Sequence, residues 1–311
     1  MRRPGAILGA MAHDHGHDHS HAHHAHRSSR TRLSLVLGLS SAFLVVEVAA
    51  GFLTGSLALL ADAGHMLTDV AGLVLALLAM KLAERRPSPR RTFGYHRAEI
   101  LAALINAVLL LGVAGYILSE AWQRFRDPRP VPSGTVLLVA VVGLLVNLVG
   151  ALLLREGSRG SLNLRGAYNE VVADALSSVG VIVGAVVIAF TGFYLVDTLV
   201  AVAIALFVLP RSWSLLRETL HVLLEGTPRE VDLSALRHAM EGVPGVKTVH
   251  DLHVWTLTSG VHALSAHAIL QEGAPHGQVL GELRTRVTAG FPISHVTVQL
   301  EDRCCGEHAH A

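Results

Sequence analysis

The sequence predicts an α-helical membrane protein with six transmembrane helices, followed by a C-terminal α+β domain of the ferredoxin-like kind. Three observations lead there. Apolar residues make up 51% of the 311 residues and charged residues only 16%, against about 25% charged in an average protein. Six apolar segments near bilayer-crossing length lie between Leu33 and Leu216. After Thr227 the pattern changes to short helices and strands. High hydrophobicity excludes a disordered chain. A net charge of +1 gives no field that would draw nucleic acid. The two cysteines, Cys304 and Cys305, are neighbours, so no disulfide framework exists.

Residues 1–31 read as a disordered, His-rich cytoplasmic tail. It carries His13, His15, His17, His19, His21, His23, His24 and His26. Alternating histidines define no tetrahedral cage, so the tail is expected to bind metal weakly; the bland alternative is a tag-like tail. The apolar stretch before Ala12 is too brief for a signal peptide.

Residues 32–218 read as the transmembrane domain, with spans at about 33–53, 57–82, 98–121, 134–154, 168–190 and 195–216. Arginines cluster in the second and fourth gaps and are missing from the first and fifth. By the positive-inside rule both termini are then cytoplasmic, in a multi-pass membrane protein of the bacterial inner membrane type. Arg124, Arg126 and Arg129 disagree, because they fall on the expected outside.

Residues 219–302 read as the cytoplasmic domain and 303–311 as a Cys/His-containing tail. Thr227-Pro228 reads as a helix start, with Pro in the first turn. Residues 230–242 have helical spacing. Strands are expected at 246–258 and 262–270 around Ser259-Gly260, a helix at 276–289 and a strand at 296–300.

Charges inside apolar spans are costly and mark function. His65 and Asp69 are four residues apart in the second span, and Glu170 and Asp174 are four apart in the fifth. Each pair lies on one helix face. Together they offer one imidazole and three carboxylates, a set that suits a tetrahedral divalent ion, zinc first. Helix-packing polar residues are the alternative. Nothing in the bilayer is read as neutralising these acids except protons or cations. Asp62 is taken as a supporting residue, Glu47 and Asp197 as lining an aqueous cavity, and Asn106 and Asn147 as hydrogen-bonding between helices.

These stretches resemble the cation diffusion facilitator family of metal–proton exchangers. The resemblance rests on the run from Gly55 through Ser56-Leu57-Ala58-Leu59-Leu60-Ala61-Asp62-Ala63-Gly64-His65 to Asp69, on Phe93-Gly94-Tyr95-His96-Arg97-Ala98-Glu99, on Glu170-Val171-Val172-Ala173-Asp174 to Gly180, and on Val249-His250-Asp251-Leu252-His253-Val254-Trp255. It implies a homodimer with six transmembrane helices and a ferredoxin-like cytoplasmic domain. It places the transport site on His65, Asp69, Glu170 and Asp174, with Glu170 where many zinc members carry His. It places cytoplasmic metal ligands on His250, His267, Gln299 and Glu301. Gln299 stands where His is usual, and Cys304, Cys305, His308 and His310 are the compensating candidates. A plain dimerisation platform is the alternative for that domain. The resemblance also pairs Arg97 with Glu225, against an ordinary arginine facing lipid phosphate.

The expected function is proton-coupled efflux of Zn2+, with Cd2+ or Co2+ as further cargo, by alternating access. The partners are divalent metal ions, protons, a second copy of the chain and membrane lipid, with no nucleic acid. Gly245-Val246-Lys247-Thr248 lacks the glycine of a P-loop, and no HExxH is present, so the chain is not read as an enzyme. A membrane-bound sensor or buffer without transport, and a channel, remain as rivals.

Overall fold

The computed structural model describes residues 20–155 and 162–303, with side chains outside 20–33, 76 and 162–164. Eleven elements follow one another: α1 (Ser20–Thr54), α2 (Leu57–Ala83), α3 (Ala98–Arg126), α4 (Ser133–Arg155), α5 (Leu162–Thr191), α6 (Leu195–Leu223), α7 (Leu233–Glu241), β1 (Val246–Thr258), β2 (Val261–Leu270), α8 (His276–Gly290) and β3 (His295–Glu301).

Helices α1 to α6 are long and apolar enough to cross a membrane. Their outward residues include Val45, Leu53, Leu138, Phe190 and Phe207, all exposed. Hydrocarbon tails are the solvent that makes such a surface stable. Helix α1 begins at Ser20, so the helix reaches back into the tail expected to be disordered up to residue 31. Helix α6 continues to Leu223, past the expected boundary at 218.

The links between spans are tight where the sequence supplies glycine. Gly55 (φ 65°) and Gly192 (φ 65°) turn the chain between α1 and α2 and between α5 and α6. That left-handed conformation costs glycine no Cβ clash. One buried cluster joins α1, α2, α4 and α5 through Phe43, Leu59, Met66, Val136 and Val181. Another joins α2, α3 and α6 through Leu57, Ala61, Ala114, Ile117 and Ala201. Helix α2 thus packs in both. Gly143 of α4 lets the ring of Phe43 approach; a Cβ there would lie 2.5 Å from Phe43 Cζ.

The C-terminal domain forms a three-stranded sheet in the order β1-β2-β3, with β1–β2 antiparallel and β2–β3 parallel. Gly260 (φ 74°) makes the β1–β2 turn. Leu236 and Met240 of α7 and Val279, Leu283 and Val287 of α8 pack against Val249, Val254 and Leu264 of the sheet. Each such side chain contributes roughly 1.5–3 kcal/mol on burial. The expected α-β-β-α-β order is present. The exception is the first helix, which starts at Leu233 rather than around Pro228. Asp232 caps it, accepting the N–H groups of Ser234 and Ala235, while Pro228 sits in a preceding turn closed by Val231 N–H. A capping carboxylate on two free amides outweighs proline's tolerance at a first turn.

The domain meets the bundle at three points. Arg97 Nη2 donates to Glu225 Oε1 at 2.9 Å. Thr258 Oγ1 donates to Glu99 Oε2 at 2.6 Å. The rings of Phe93 and His295 meet edge to face, centroids 5.9 Å apart. The structure thus makes the Arg97–Glu225 pair within one chain, with Glu225 in the left-handed region (φ 60°) just past α6.

Candidate metal centres

The i,i+4 spacing in α2 places His65 Nε2 3.4 Å from Asp69 Oδ2. From α5, Asp174 Oδ1 comes within 3.8 Å of the same imidazole nitrogen. His65, Asp69 and Asp174 each offer one ligand atom, and these atoms lie within 4.8 Å of one another. His65 and Asp174 are largely buried and Asp69 is half-buried. His65 Nδ1, Asp69 Oδ2 and Asp174 Oδ1 are buried with no hydrogen-bond partner. Buried polar atoms are nearly always satisfied, so two orphan carboxylate oxygens facing one imidazole from two helices have the chemistry of a cation site. Imidazole nitrogen and carboxylate oxygen fit a zinc-type ion.

Glu170 does not complete this trio. Arg211 of α6 donates Nη1 to Glu170 Oε1 and Nη2 to Glu170 Oε2, both at 3.1 Å. The structure thus gathers three of the four expected ligands and holds the fourth carboxylate, a neighbour of Asp69, on a guanidinium. The expectation that only protons or cations neutralise these acids is thereby corrected. The signal was in the sequence: Arg211 lies in the sixth apolar segment, where a basic residue is as costly as an acidic one.

Around the trio, Asp62 is 1% exposed and accepts Ser177 Oγ at 2.5 Å. Glu47 is 1% exposed and is Asp62's electrostatic neighbour. Asp197, expected beside an aqueous cavity, has another role. Asp197 holds the start of α2, accepting Ser56 Oγ (2.5 Å), Leu57 N–H (2.6 Å) and Ala58 N–H (3.4 Å). A carboxylate suits the positive end of a helix dipole. Arg124 Nη1 lies 3.7 Å from Asp197 Oδ2 and donates to Gly55 O; Arg124 Nε reaches Glu120 Oε1 at 3.3 Å. Arg124 is therefore a buried structural cation and not a loop charge. The expected interhelical hydrogen bonds of Asn106 and Asn147 are not made by Asn106 Oδ1 or by either amide atom of Asn147.

A second cluster lies on the sheet. Register makes His250 of β1 and His267 of β2 direct cross-strand partners, and sets Gln299 of β3 beside His267. Glu301 Oε2 is 3.2 Å from His250 Nε2, and Glu301 Oε1 is 2.8 Å from His267 Nδ1. His250, His267 and Glu301 can share one ion. Gln299 donates its Nε2 to Glu301 Oε1 at 2.9 Å, so it braces the carboxylate. Cys304 and Cys305, with His308 and His310, lie outside the described residues. So do His13, His15, His17 and His19 and the side chains of His21, His23, His24 and His26.

Residues 33–224 match the cation efflux transmembrane domain, and residues 228–303 match the cation efflux protein cytoplasmic domain. The chain is 48% identical over 274 residues to the metal cation efflux system protein CzcD of Cupriavidus metallidurans, covering 88% of this chain and 87% of that one. It is 40% identical over 265 residues to the cadmium, cobalt and zinc/H(+)-K(+) antiporter of Bacillus subtilis, covering 84% and 85%. It is 40% identical over 276 residues to the zinc transporter ZitB of Escherichia coli, covering 88% of each chain.

Proposed function

Since the chain belongs to the cation efflux family, and is a multi-pass membrane transporter of metal cations and not an enzyme, we propose that zinc is its main cargo and that protons are exchanged for it. One observation carries the reading: the His65 imidazole and two buried carboxylate oxygens without hydrogen-bond partners, from Asp69 and Asp174, converge between α2 and α5. With a neutral imidazole the trio carries two negative charges and matches one divalent ion. Ligands bind metal deprotonated, so protons compete for the same atoms and drive release. Nitrogen with oxygen donors favours zinc, and cadmium or cobalt are further cargo. The names of the Bacillus subtilis and Escherichia coli relatives support both the proton exchange and the zinc preference.

The cargo enters from the cytoplasm, and rocking of the bundle opens the site to the far side. Both termini face the cytoplasm in this reading. The basic loops around 85–91 and 155–165 support it, and Arg124 ceases to be an exception because it is paired inside the bundle. The cytoplasmic domain follows α6, forms a homodimer with a second copy, and binds zinc through His250, His267 and Glu301. The His-rich tail binds metal weakly and raises its concentration at the entrance.

The test is zinc flux into proteoliposomes under an imposed pH gradient, for the natural sequence and Asp174→Ala. Gradient-driven uptake that disappears in Asp174→Ala is expected. Zinc binding without flux in the natural sequence would favour a sensor, and flux that survives the substitution would move the site elsewhere.

A further inference from the structure

Arg211 follows Pro210 in α6 and makes a two-point contact with Glu170. Paired N–H···O bonds of this kind are among the stronger polar contacts, and a lysine cannot make the fork. The same guanidinium is an electrostatic neighbour of His65, Asp69 and Asp174. The pair therefore borders the trio. Glu170 lies one turn from Asp174 on the same face of α5, so its carboxylate is positioned to ligate while both its oxygens are occupied. The Arg211 side chain is 68% exposed and that of Glu170 29%, so neither is locked in by packing on every side.

Resting on the reading that His65, Asp69 and Asp174 hold the transported ion, we propose that Arg211 is a tethered cation that occupies Glu170 in the metal-free transporter, yields it to the arriving ion and reclaims it on release. Formal charge supports the exchange. Three carboxylates, a neutral imidazole, one divalent ion and one guanidinium sum to zero. Without Arg211 the empty site would keep three negative charges in a low-dielectric bundle and the loaded site one, so its loss favours the loaded state. Breaking the Arg211–Glu170 pair on loading also weakens net metal affinity, which suits a carrier that must let go. Arg211 is thus a determinant of affinity and release that touches a ligand and not the cargo.

The experiment is zinc uptake by proteoliposomes at fixed pH gradient for the natural sequence, R211Q, E170Q, R211Q with E170Q, and Asp174→Ala. In R211Q the KM for zinc is expected to fall about tenfold, the weight of a charge-assisted contact, and kcat to fall with it. E170Q is expected to raise KM, and the double variant to behave as E170Q alone, because Arg211 acts through Glu170. An unchanged or raised KM in R211Q, beside an inactive Asp174→Ala, overturns the proposal. Wild-type flux in Asp174→Ala overturns the site assignment instead. Arg211→Lys keeps the charge and loses the fork, and covers a failure of R211Q to fold. Its KM is expected between the two, and a KM equal to that of the natural sequence overturns the proposal.

Discussion

Asp197 Oδ2 accepts the backbone N–H of Leu57 at 2.6 Å, so a side chain of α6 fixes the first turn of α2. Two of the proposed metal ligands, His65 and Asp69, ride on that helix. Asp197→Ala removes the cap and leaves Arg124 buried with a partner missing. A buried charge stripped of a partner costs about 3–5 kcal/mol, and Glu120 still pairs with Arg124, so a loss of about 3 kcal/mol is expected here. Thermal unfolding in detergent measures it as a lowered midpoint, with Asp197→Asn expected between the two.

Gly143 is the second packing constraint in the bundle. A methyl group at this position meets the Phe43 ring at 2.5 Å. Gly143→Ala is expected to destabilise the bundle by about 1–3 kcal/mol, as overpacked cores do. Phe43→Leu in the same chain is expected to restore part of the loss, read by the same unfolding midpoint.

Glu301 stands between two imidazoles, and its removal separates them from their common acid. Glu301→Gln is expected to weaken zinc binding by the cytoplasmic domain about 10–100-fold, the usual cost of losing a group that orients and shares metal ligands. Gln299→His is expected to tighten it, because an imidazole replaces an amide that now points at Glu301. Zinc titration of the full-length chain against a competing chelator, compared between variants, gives both directions.

The Ser234 hydroxyl, with the Ala235 and Ser234 amides, holds the Asp232 carboxyl below its ordinary range. A depressed carboxyl stabilises the fold above its unfolded value, about 3.9. That contribution is lost as pH falls through the lower folded value. Asp232→Ala is therefore expected to lower the unfolding midpoint of the cytoplasmic domain at neutral pH and to make no difference in strong acid. Circular dichroism melts across that range measure the convergence.

The pairs His65 with Asp69 and Glu170 with Asp174 were legible because i,i+4 periodicity reports which residues of one helix share a face. It does not report what a third helix brings to that face. Glu170 and Arg211 are 41 positions apart, and only packing of α6 against α5 joins them. Asp197 was misread for the same reason: its partner is the start of another helix, which a sequence does not mark. The sheet was more legible. His250 and His267 fall opposite each other because the Ser259-Gly260 turn starts the pairing of the two strands and two register shifts, at Thr256/Thr258 and His250/His253, adjust it on the way to them. The bracing role of Gln299 depends on a side-chain rotation and left no trace in the pattern.

A three-stranded sheet leaves two open edges, and β1, at 13 residues, is a long one. Its pairing with β2 shifts register at Val246/Thr248, His250/His253 and Thr256/Thr258. Each shift bends the strand and interrupts the row of free backbone groups. An edge broken into such short pieces is a poor template for another chain. The same irregularity that sets His250 apart from His253 along the strand therefore guards the domain against edge-to-edge aggregation in a crowded membrane.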